Sequence, residues 1–378
     1  MISGILIFII AFLSLIVLMI IHEFGHFIIA KKFGVRVDEF GIFLPPRLFG
    51  IKIGETVYSL NLLPIGAFVK IYGEEGGVDD YRSFASLKIW QRVCIVIGGV
   101  AAFWIVAIII FSIVFMIGTD LPVGEGDVQG LTNARVQIVE VAKDSPAWQS
   151  GLKVRDVVTD IIVGETYTKI SKVSDFQKIA NENKGKEITL VVKRGSDNLN
   201  FSLTPRLEAP PGQGSVGVGL ERIATLVKRY SLDKAPLQGL IYTWQITVNT
   251  VKALYDFFGQ AFGSYVLQKE APPQGDFAGP LGITIFLANA ASYGIGFFLY
   301  FIGVICVLVA VFNLFPIPAL DGGKLVFLLI EKIKGRPVSV KVEQGITLAF
   351  FAILICLSIF ITIKFDIPRF TEFIKSNL

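Results

Sequence analysis

Four long apolar segments constrain the fold of this chain more than any other feature of its sequence. They cover residues 2–30, 93–117, 295–315 and 346–363. Each is long enough to cross a hydrocarbon core of about 30 Å as an α-helix. Hydrophobic residues make up 53% of the chain and charged residues only 17%, and the mean hydropathy is +0.65. We therefore predict a polytopic α-helical membrane protein with about four transmembrane helices.

The first apolar segment contains both histidines of the chain, His22 and His26, in the sequence HEFGH. Residues four apart share a helix face, so the two imidazoles can bind one metal ion. Glu23 lies about 100° further round the helix, where it can act as a general base. Zinc is the expected ion because imidazole suits it and it needs no redox chemistry. Ionisable groups inside bilayers are costly and usually functional, which favours a catalytic site over a packed pair of core histidines.

A catalytic zinc usually has three protein ligands, and no third histidine exists here. The three cysteines lie in apolar stretches, where they are expected to pack as small hydrophobic residues. The third ligand is therefore expected to be a carboxylate, and Asp321 in NLFPIPALDGGK is the best candidate. Pro316 and Pro318 end the third helix, and parity places this end on the same side of the membrane as the end of the first. An ordinary Asp-Gly turn is the alternative interpretation.

The remaining segments differ in character from the spans. Short β-type runs between Gly and Pro residues in 32–92 predict a β-hairpin or sheet at the cytosolic face, with a plain loop as the alternative. Strands and one helix in 130–207 predict a compact inserted α+β domain. The predicted layout is transmembrane helices at 1–31, 93–117, 295–323 and 346–364, a linker with interfacial amphipathic helices at 208–294, a cytosolic loop at 324–345 and an extracytoplasmic tail at 365–378.

The distribution of basic residues predicts the orientation. Lys31 and Lys32 follow the first apolar segment directly, whereas no basic residue precedes it, and the 324–345 loop is also basic. By the positive-inside rule the N-terminus and the inserted domain lie outside, and the metal site lies towards the cytosol. The net charge of +4 is modest and spread along the chain, so we expect no nucleic-acid partner.

The two separated motifs carry a family resemblance. HEFGH, NLFPIPALDGG and an intervening domain resemble the site-2 protease family of intramembrane zinc metalloproteases, and SPAWQSGLKVRDVV resembles the core of a PDZ domain. The resemblance covers nearly the whole chain, with one PDZ-like copy as in the shorter bacterial members. It implies that zinc (Zn²⁺) is held by His22, His26 and Asp321, and that Glu23 is the general base. It also implies that Asn313 helps to hold substrate near the metal.

The same resemblance implies partners and a location. The substrates would be single-span membrane proteins, such as anti-sigma factors or remnant signal peptides, cleaved within the lipid bilayer. The β segment 57–73 would guide them, and the PDZ-like domain would bind a peptide or C-terminus or exclude bulky substrates. The location would be the bacterial inner (plasma) membrane, as a multi-pass protein.

The chain departs from the family pattern at three places. The second span reads GGVAAF where a Gly-Pro and an Asn are frequent, Lys324 stands where a histidine is common, and Arg155 replaces a glycine before Asp156. Two alternatives remain at this stage. One is a membrane metalloprotease of another class, against which the LDG segment and the insert argue. The other is a non-catalytic PDZ-bearing membrane scaffold, which would have no need of Glu23.

Overall fold

The computed structural model describes residues 4–74, 76, 80–118, 120–122, 131–195, 197–210, 213–226, 229–265, 277–292 and 294–377. The helices are α1 Gly4–Lys32, α2 Ile89–Ile117, α3 Pro146–Ser150, α4 Val173–Glu182, α5 Ala235–Tyr265, α6 Pro280–Ser292, α7 Ile295–Asn313, α8 Asp321–Lys334, α9 Val340–Ile361 and α10 Ile367–Asn377. The strands are β1 Val37–Ile53, β2 Thr56–Ile71, β3 Asp120–Pro122, β4 Leu131–Val141, β5 Val157–Val163, β6 Thr166–Lys169, β7 Ile188–Arg194, β8 Asp197–Leu203 and β9 Val218–Leu226.

The chain divides into two compact units. We call Met1–Val114 with Leu232–Leu378 the membrane unit, and Phe115–Ser231 the inserted unit. Four helices are long and apolar enough to cross a membrane, namely Gly4–Lys32, Ile89–Ile117, Ile295–Asn313 and Val340–Thr371. The prediction of four helices able to span a membrane is confirmed. The third ends at Asn313, ten residues before the predicted end, and the fourth begins six residues earlier than predicted, at Val340.

Within the membrane unit the apolar helices pack through small residues. α1 packs against α6 and β2, and α5 packs against α7. A Cβ atom at Gly239 of α5 would lie 2.3 Å from the Ser112 hydroxyl of α2, so the glycine allows these two helices to touch. Small residues at such contacts are typical of membrane helices, because van der Waals packing replaces the hydrophobic effect there. α9 contains no buried residue.

The β segment of the membrane unit is a sheet, as the sequence predicts. Residues 39–42 of β1 pair with residues 57–60 and also with residues 67–70 of β2, and residues 47–53 pair with residues 56–61. The spatial order is therefore 47–53, 56–63, 37–44, 67–71, with an antiparallel pair at each edge and a parallel register between residues 39–42 and 57–60 in the centre. Its outer hairpin exposes apolar side chains on both faces, such as Leu48 and Phe49. An exposed apolar surface of this kind is typical of a site that contacts a membrane or another protein.

The inserted unit is an antiparallel sheet with two short helices. The strand order is β3-β9-β4-β5-β7-β8, and β6 pairs with β5. Alternate residues of β7, among them Leu190, are buried in its core together with Ile161 of β5 and Phe176 of α4. Ser145 caps α3 by accepting the Trp148 N–H, which is the usual role of serine before a helix. An α+β unit is thus present, and its likeness to a PDZ domain stays a prediction.

Three segments differ from the predicted layout. The predicted linker contains β9, which pairs with β4 over most of its length and extends the inserted unit beyond residue 207. The predicted cytosolic loop 324–345 contains most of α8, and the predicted tail 365–378 contains α10. The predicted domain start at 130 and the 266–276 part of the linker lie outside the described residues.

The physical reasons for these differences are local. α8 has apolar residues at helical spacing and ends at Gly335, whose φ of +71° is the left-handed conformation of a helix C-cap. The charges at its end hid this pattern in the sequence. In the tail, Pro368 does not stop the helix, because the preceding residues Thr362–Asp366 form a π-helical turn. Such a turn accommodates the amide that proline lacks.

Candidate metal centre and active site

Two histidine side chains meet on one face of α1. His22 and His26 are both buried, and their Nε2 atoms lie 3.2 Å apart. Their ring centroids are 4.7 Å apart with the planes at 87°. This is the arrangement that an i, i+4 spacing gives on a helix. Both imidazoles therefore present a nitrogen to the same point.

Asp321 reaches that point from almost 300 residues further along the chain. Its Oδ2 atom lies 3.4 Å from Nε2 of His22 and 3.5 Å from Nε2 of His26. Asp321 is the first residue of α8. A carboxylate in this first turn is stabilised by the positive end of the helix dipole. Among the described residues, these three form the only group of histidine, cysteine or acidic side chains with metal-binding spacing.

The two glycines after Asp321 allow the preceding loop to fold back. A Cβ atom at Gly322 would lie 2.0 Å from the carbonyl oxygen of Phe315, and one at Gly323 would lie 2.4 Å from that of Ile317. Any larger residue would push the loop away from the start of α8. The LDGG sequence therefore sets the position of the aspartate through close backbone packing, and not through turn conformation alone.

The three ligand atoms fit a zinc ion. Zinc bound tetrahedrally at about 2.0–2.1 Å requires ligand atoms about 3.3 Å apart. The observed separations are 3.2, 3.4 and 3.5 Å. Asp321 Oδ2 is inaccessible to solvent yet has no hydrogen-bond partner among the described residues. A buried polar atom without a partner is unfavourable, and a metal ion bound here would supply the partner.

Residues of α2 hold the imidazoles in place. His26 Nδ1–H donates to the carbonyl oxygen of Ile95 at 2.9 Å, which leaves the Nε2 lone pair for a metal. The His22 ring stacks on Phe103 with centroids 4.8 Å apart and planes at 23°. The second apolar helix therefore orients ligands that the first helix carries.

Glycines bring α1 and α2 close enough for these contacts. A Cβ atom at Gly25 would lie 2.3 Å from the carbonyl oxygen of Gly98. One at Gly99 would lie 2.4 Å from His26 Nε2 and 2.6 Å from His22 Cε1. The sequence GG in the second span, noted only as a departure from the family pattern, is thus required for the site. We did not predict Ile95, Gly99 or Phe103 as site residues, although adjacent glycines in an apolar helix are a usable signal of close helix packing.

Glu23 lies beside the cluster and is half-buried. Its carboxylate is within electrostatic range of both histidines and of Asp321. It occupies the helix position next to His22, off the face that the two imidazoles share. The side chain is therefore near the ligand atoms without being one of the three.

The comparisons with known proteins agree with this geometry. The sequence model of peptidase family M50 matches residues 10–357, which include the HEFGH and LDGG segments. This chain belongs to peptidase family M50. Proteins of Nostoc sp. (30% identical; 93% of each chain covered) and Clostridium perfringens (33% identical; 94% of this chain and 96% of the relative) are each named "Putative zinc metalloprotease". The "Regulator of sigma-E protease RseP" of Escherichia coli is 27% identical, with 87% of this chain and 91% of the relative covered.

These findings confirm that the chain is a zinc metalloprotease of the site-2 protease family. The four apolar helices of this M50 peptidase agree with a membrane location. The family and the relatives' names imply zinc, and the site described above is the place where this chain offers three ligands.

Asn313 is the last residue of α7 in the M50 peptidase and is half-buried. Pro316 and Pro318 follow it, and the chain then turns into α8. Asn313 therefore lies directly before the loop that leads to Asp321. Its role in holding substrate stays a prediction.

The sheet of the M50 peptidase has a β2 half that is paired on one side only. Residues 57–60 pair on both sides, with residues 39–42 and with the 47–53 strand. Residues 67–71 pair only with residues 37–42 among the described residues. A cavity of about 730 Å³ lies along this second half, and its lining includes Phe68, Lys70 and Tyr72. Within the 57–73 segment, which is expected to guide substrate, residues 67–71 therefore have a side without a strand partner among the described residues.

The inserted unit has a groove of its own. A cavity of about 300 Å³ lies between α4 and the start of β9, lined by Phe176, Ala180, Val216 and their neighbours. β9 pairs with β4 on one side, whereas on the other side β3 covers only residues 223–225. Within the described part of the unit, residues 218–221 therefore present a strand side with no strand partner next to this groove.

Proposed function

We propose that this M50 peptidase hydrolyses peptide bonds within or near the transmembrane helices of single-span membrane proteins. His22, His26 and Asp321 hold the zinc ion, and Glu23 is the general base. The observation that carries the proposal is the triangle of ligand atoms, whose sides are 3.2–3.5 Å long. Two of its three corners are histidines of α1, an apolar helix of 29 residues. A metal site on an apolar helix of a membrane protein can act on a polypeptide that is itself in the membrane.

The residues of the chain divide the chemistry between them. Bound zinc supplies a Lewis acid that polarises the scissile carbonyl and lowers the pKa of water. Glu23 takes the proton of the attacking water and passes it to the leaving amine, a role worth roughly 10²–10⁴-fold in rate. His26 keeps its orientation through Ile95, and Asp321 through the packing of Gly322 and Gly323.

Substrate binding by strand addition follows from the free side of residues 67–71. A transmembrane helix must unwind before its peptide bonds can be attacked, and its backbone groups then need new partners in the apolar environment. A strand with an unpaired side offers them. Proline substitutions within residues 68–71 would remove main-chain donors of this strand and are expected to lower cleavage. Proline at Tyr58, which is paired on both sides, tests the stability of the sheet instead.

We propose that the inserted unit lies outside the cell. The last turns of α1 and α8 carry basic residues, and the positive-inside rule favours a cytosolic position for such ends. The groove beside α4 supports binding of a peptide or C-terminus by a PDZ-like domain. Gln177→Trp at its rim is expected to weaken selection of substrates by their ends. Lys178→Trp, on the same helix but outside the lining, is the matched control. Equal selection by both variants would favour a spacer role.

The substrate class follows from the site and from one relative. The Escherichia coli relative is named as a regulator of sigma-E protease, which makes membrane-bound anti-sigma factors the first class to test. Remnant signal peptides are the second class, because they are short apolar helices that fit the same site. The site is in the inner membrane under this proposal.

Cleavage of a single-span model substrate in proteoliposomes tests the proposal. Wild type should cleave within the apolar segment, and Glu23→Gln should retain zinc but lose at least about a hundredfold in kcat. Glu182→Gln, an exposed glutamate of α4, is the matched control and should behave as wild type. Wild-type protein that binds zinc yet cleaves only soluble peptides would favour another class of membrane metalloprotease. Protein without zinc or activity would favour a scaffold.

A further inference from the structure

One ion pair joins the helix that carries Asp321 to the sheet. Lys324, on the first turn of α8, donates from Nζ to Oε1 of Glu74. Lys324 lies within electrostatic range of Asp321, and Glu74 within range of Glu23. Neither residue has a part in the chemistry described above. Lys324 is also the position where this chain departs from the histidine that is common in the family.

Glu74 is tightly connected to the strand with the free side. It lies three residues beyond the end of β2 at Ile71. The strand end is held by Tyr72 N–H, which donates to the Arg36 carbonyl at 3.0 Å. Gly73 has φ of +71°, and a Cβ atom there would lie 2.6 Å from Cβ of Ser83. Close packing thus restricts the backbone at Gly73. We therefore expect Glu74 to move together with the strand.

α8 has a second charged connection at its other end. Arg92 of α2 donates to both carboxylate oxygens of Glu331, at 2.5 and 2.9 Å. Bidentate pairs of this kind fix geometry as well as adding energy. The side chains of that pair are 11% and 16% exposed, against 37% and 21% for Lys324 and Glu74. The ion pair that joins α8 to α2 is therefore more shielded from solvent than the one that joins α8 to the sheet.

We propose that Lys324 and Glu74 are positioning residues that set which substrate bond lies at the metal centre. The inference rests on the proposed function, because it concerns a substrate strand added to residues 67–71. Successive residues of a strand are about 3.3 Å apart, so a small displacement of the sheet relative to α8 changes the bond presented. The ion pair holds the two elements at one separation, which selects one bond.

The test is the position of cleavage. The new termini of a single-span substrate are identified by mass spectrometry, with kcat and KM measured in proteoliposomes. Wild type is expected to cut one dominant bond. Lys324→Met and Glu74→Gln are expected to cut neighbouring bonds too, with kcat about tenfold lower, KM little changed and zinc content unchanged. Lys332→Met, on the same helix but at its exposed end, is the matched control and should leave the site of cleavage unchanged.

Exchanging the two charges distinguishes loss of the ion pair from a general loss of structure. The double variant Lys324→Glu with Glu74→Lys should restore the single dominant bond, whereas each reversal alone should not. Variants that cut only the wild-type bond would overturn the positioning role and leave the proposed function intact. A double variant that still cuts several bonds would also overturn it. Wild-type protein that cleaves no membrane substrate would overturn the proposed function, and the positioning role with it.

Discussion

Asp156 of the inserted unit and Asp321 of the membrane unit are both shielded carboxylates with different surroundings. Asp156 accepts from Arg194 Nε and Nη2 at 2.7 Å each and from the Lys153 N–H at 2.9 Å. Asp321 Oδ2 has no hydrogen-bond partner in the described part of the chain and faces two imidazole nitrogens. A buried polar group whose partners are complete stabilises a fold. A buried polar group without hydrogen-bond partners is unfavourable, and such a group is expected where a bound ligand supplies the missing partner.

Among substitutions that distinguish the metal site from the inserted unit, Gly99→Ala is expected to have the largest effect, on zinc content and on cleavage. In Gly99→Ala the new methyl group would lie 2.4 Å from His26 Nε2, so the imidazoles must move and the ligand triangle opens. We expect zinc content to fall below a tenth of the wild-type value and cleavage to fall at least about a hundredfold. Zinc content per purified chain and cleavage rate measure this.

Gly345→Ala is the matched control for that change. It is also a glycine in an apolar helix, and a Cβ atom there meets no other atom within 4 Å. It should keep zinc and activity, since alanine is favourable in a helix. Full zinc content in Gly99→Ala would show that the close packing of α1 and α2 is not needed for the site.

The second effect is expected in the inserted unit. Asp156→Asn removes the charge that Arg194 faces, and should lower the free energy of unfolding by about 2 kcal/mol. The figure is reduced from that of a fully buried pair because the Arg194 side chain is 32% exposed. Thermal unfolding measures the change, and zinc content should stay at the wild-type value. Asp160→Asn, a partly buried carboxylate of the same unit, should change stability little. Zinc loss in Asp156→Asn would contradict the separation of the two roles.

A third, more exposed carboxylate is expected to have a smaller effect that depends on pH. Glu55, between β1 and β2, accepts from Lys31 and Arg82, and these bonds lower its pKa below the usual 4.5. Its stabilisation is therefore present above about pH 4.5 and is lost as the pH falls through the lowered value. Glu55→Gln should cost less than about 1 kcal/mol at neutral pH. The difference in melting temperature from wild type should disappear in acid. A difference that persists there would show that the charge is not the cause.

The smallest effect is expected at Arg155. This residue has φ of +78°, a left-handed conformation that costs a non-glycine residue of the order of 1 kcal/mol. Arg155→Gly should raise the melting temperature of the inserted unit slightly, corresponding to about 0.5 kcal/mol. Lys153→Gly, nearby without positive φ, should lower it. Destabilisation by Arg155→Gly would indicate that contacts of the arginine side chain outweigh the backbone strain.

Much of this architecture could be predicted because its signals are local. Apolar length gave the four spans, and the spacing of His22 and His26 gave a shared helix face. Asp321 could be predicted because the chain has no third histidine and because this carboxylate follows the prolines that end the third apolar segment. The β9 strand and α8 were not predicted, because flanking glycines, prolines and charges resemble loop sequence and their order depends on packing against β4 and α2.

The close contacts of the site could not be predicted from one sequence. The positions of Gly99 and Phe103 against the histidines depend on how α2 crosses α1, which no local pattern specifies. The pairing of Lys324 with Glu74 likewise joins residues 250 apart in the chain. Such contacts depend on tertiary packing, and the sequence indicates them only as unexplained glycines and charges.

The central claim is that His22, His26 and Asp321 together hold one zinc ion. Zinc content per chain, measured on detergent-purified protein by mass spectrometry of the metal, tests it most directly. Wild type and Glu23→Gln should contain about one zinc per chain, because the glutamate is not a ligand. His22→Ala and Asp321→Asn should contain less than about a tenth of that amount while keeping the fold. Full zinc content in Asp321→Asn would contradict the assignment of the third ligand.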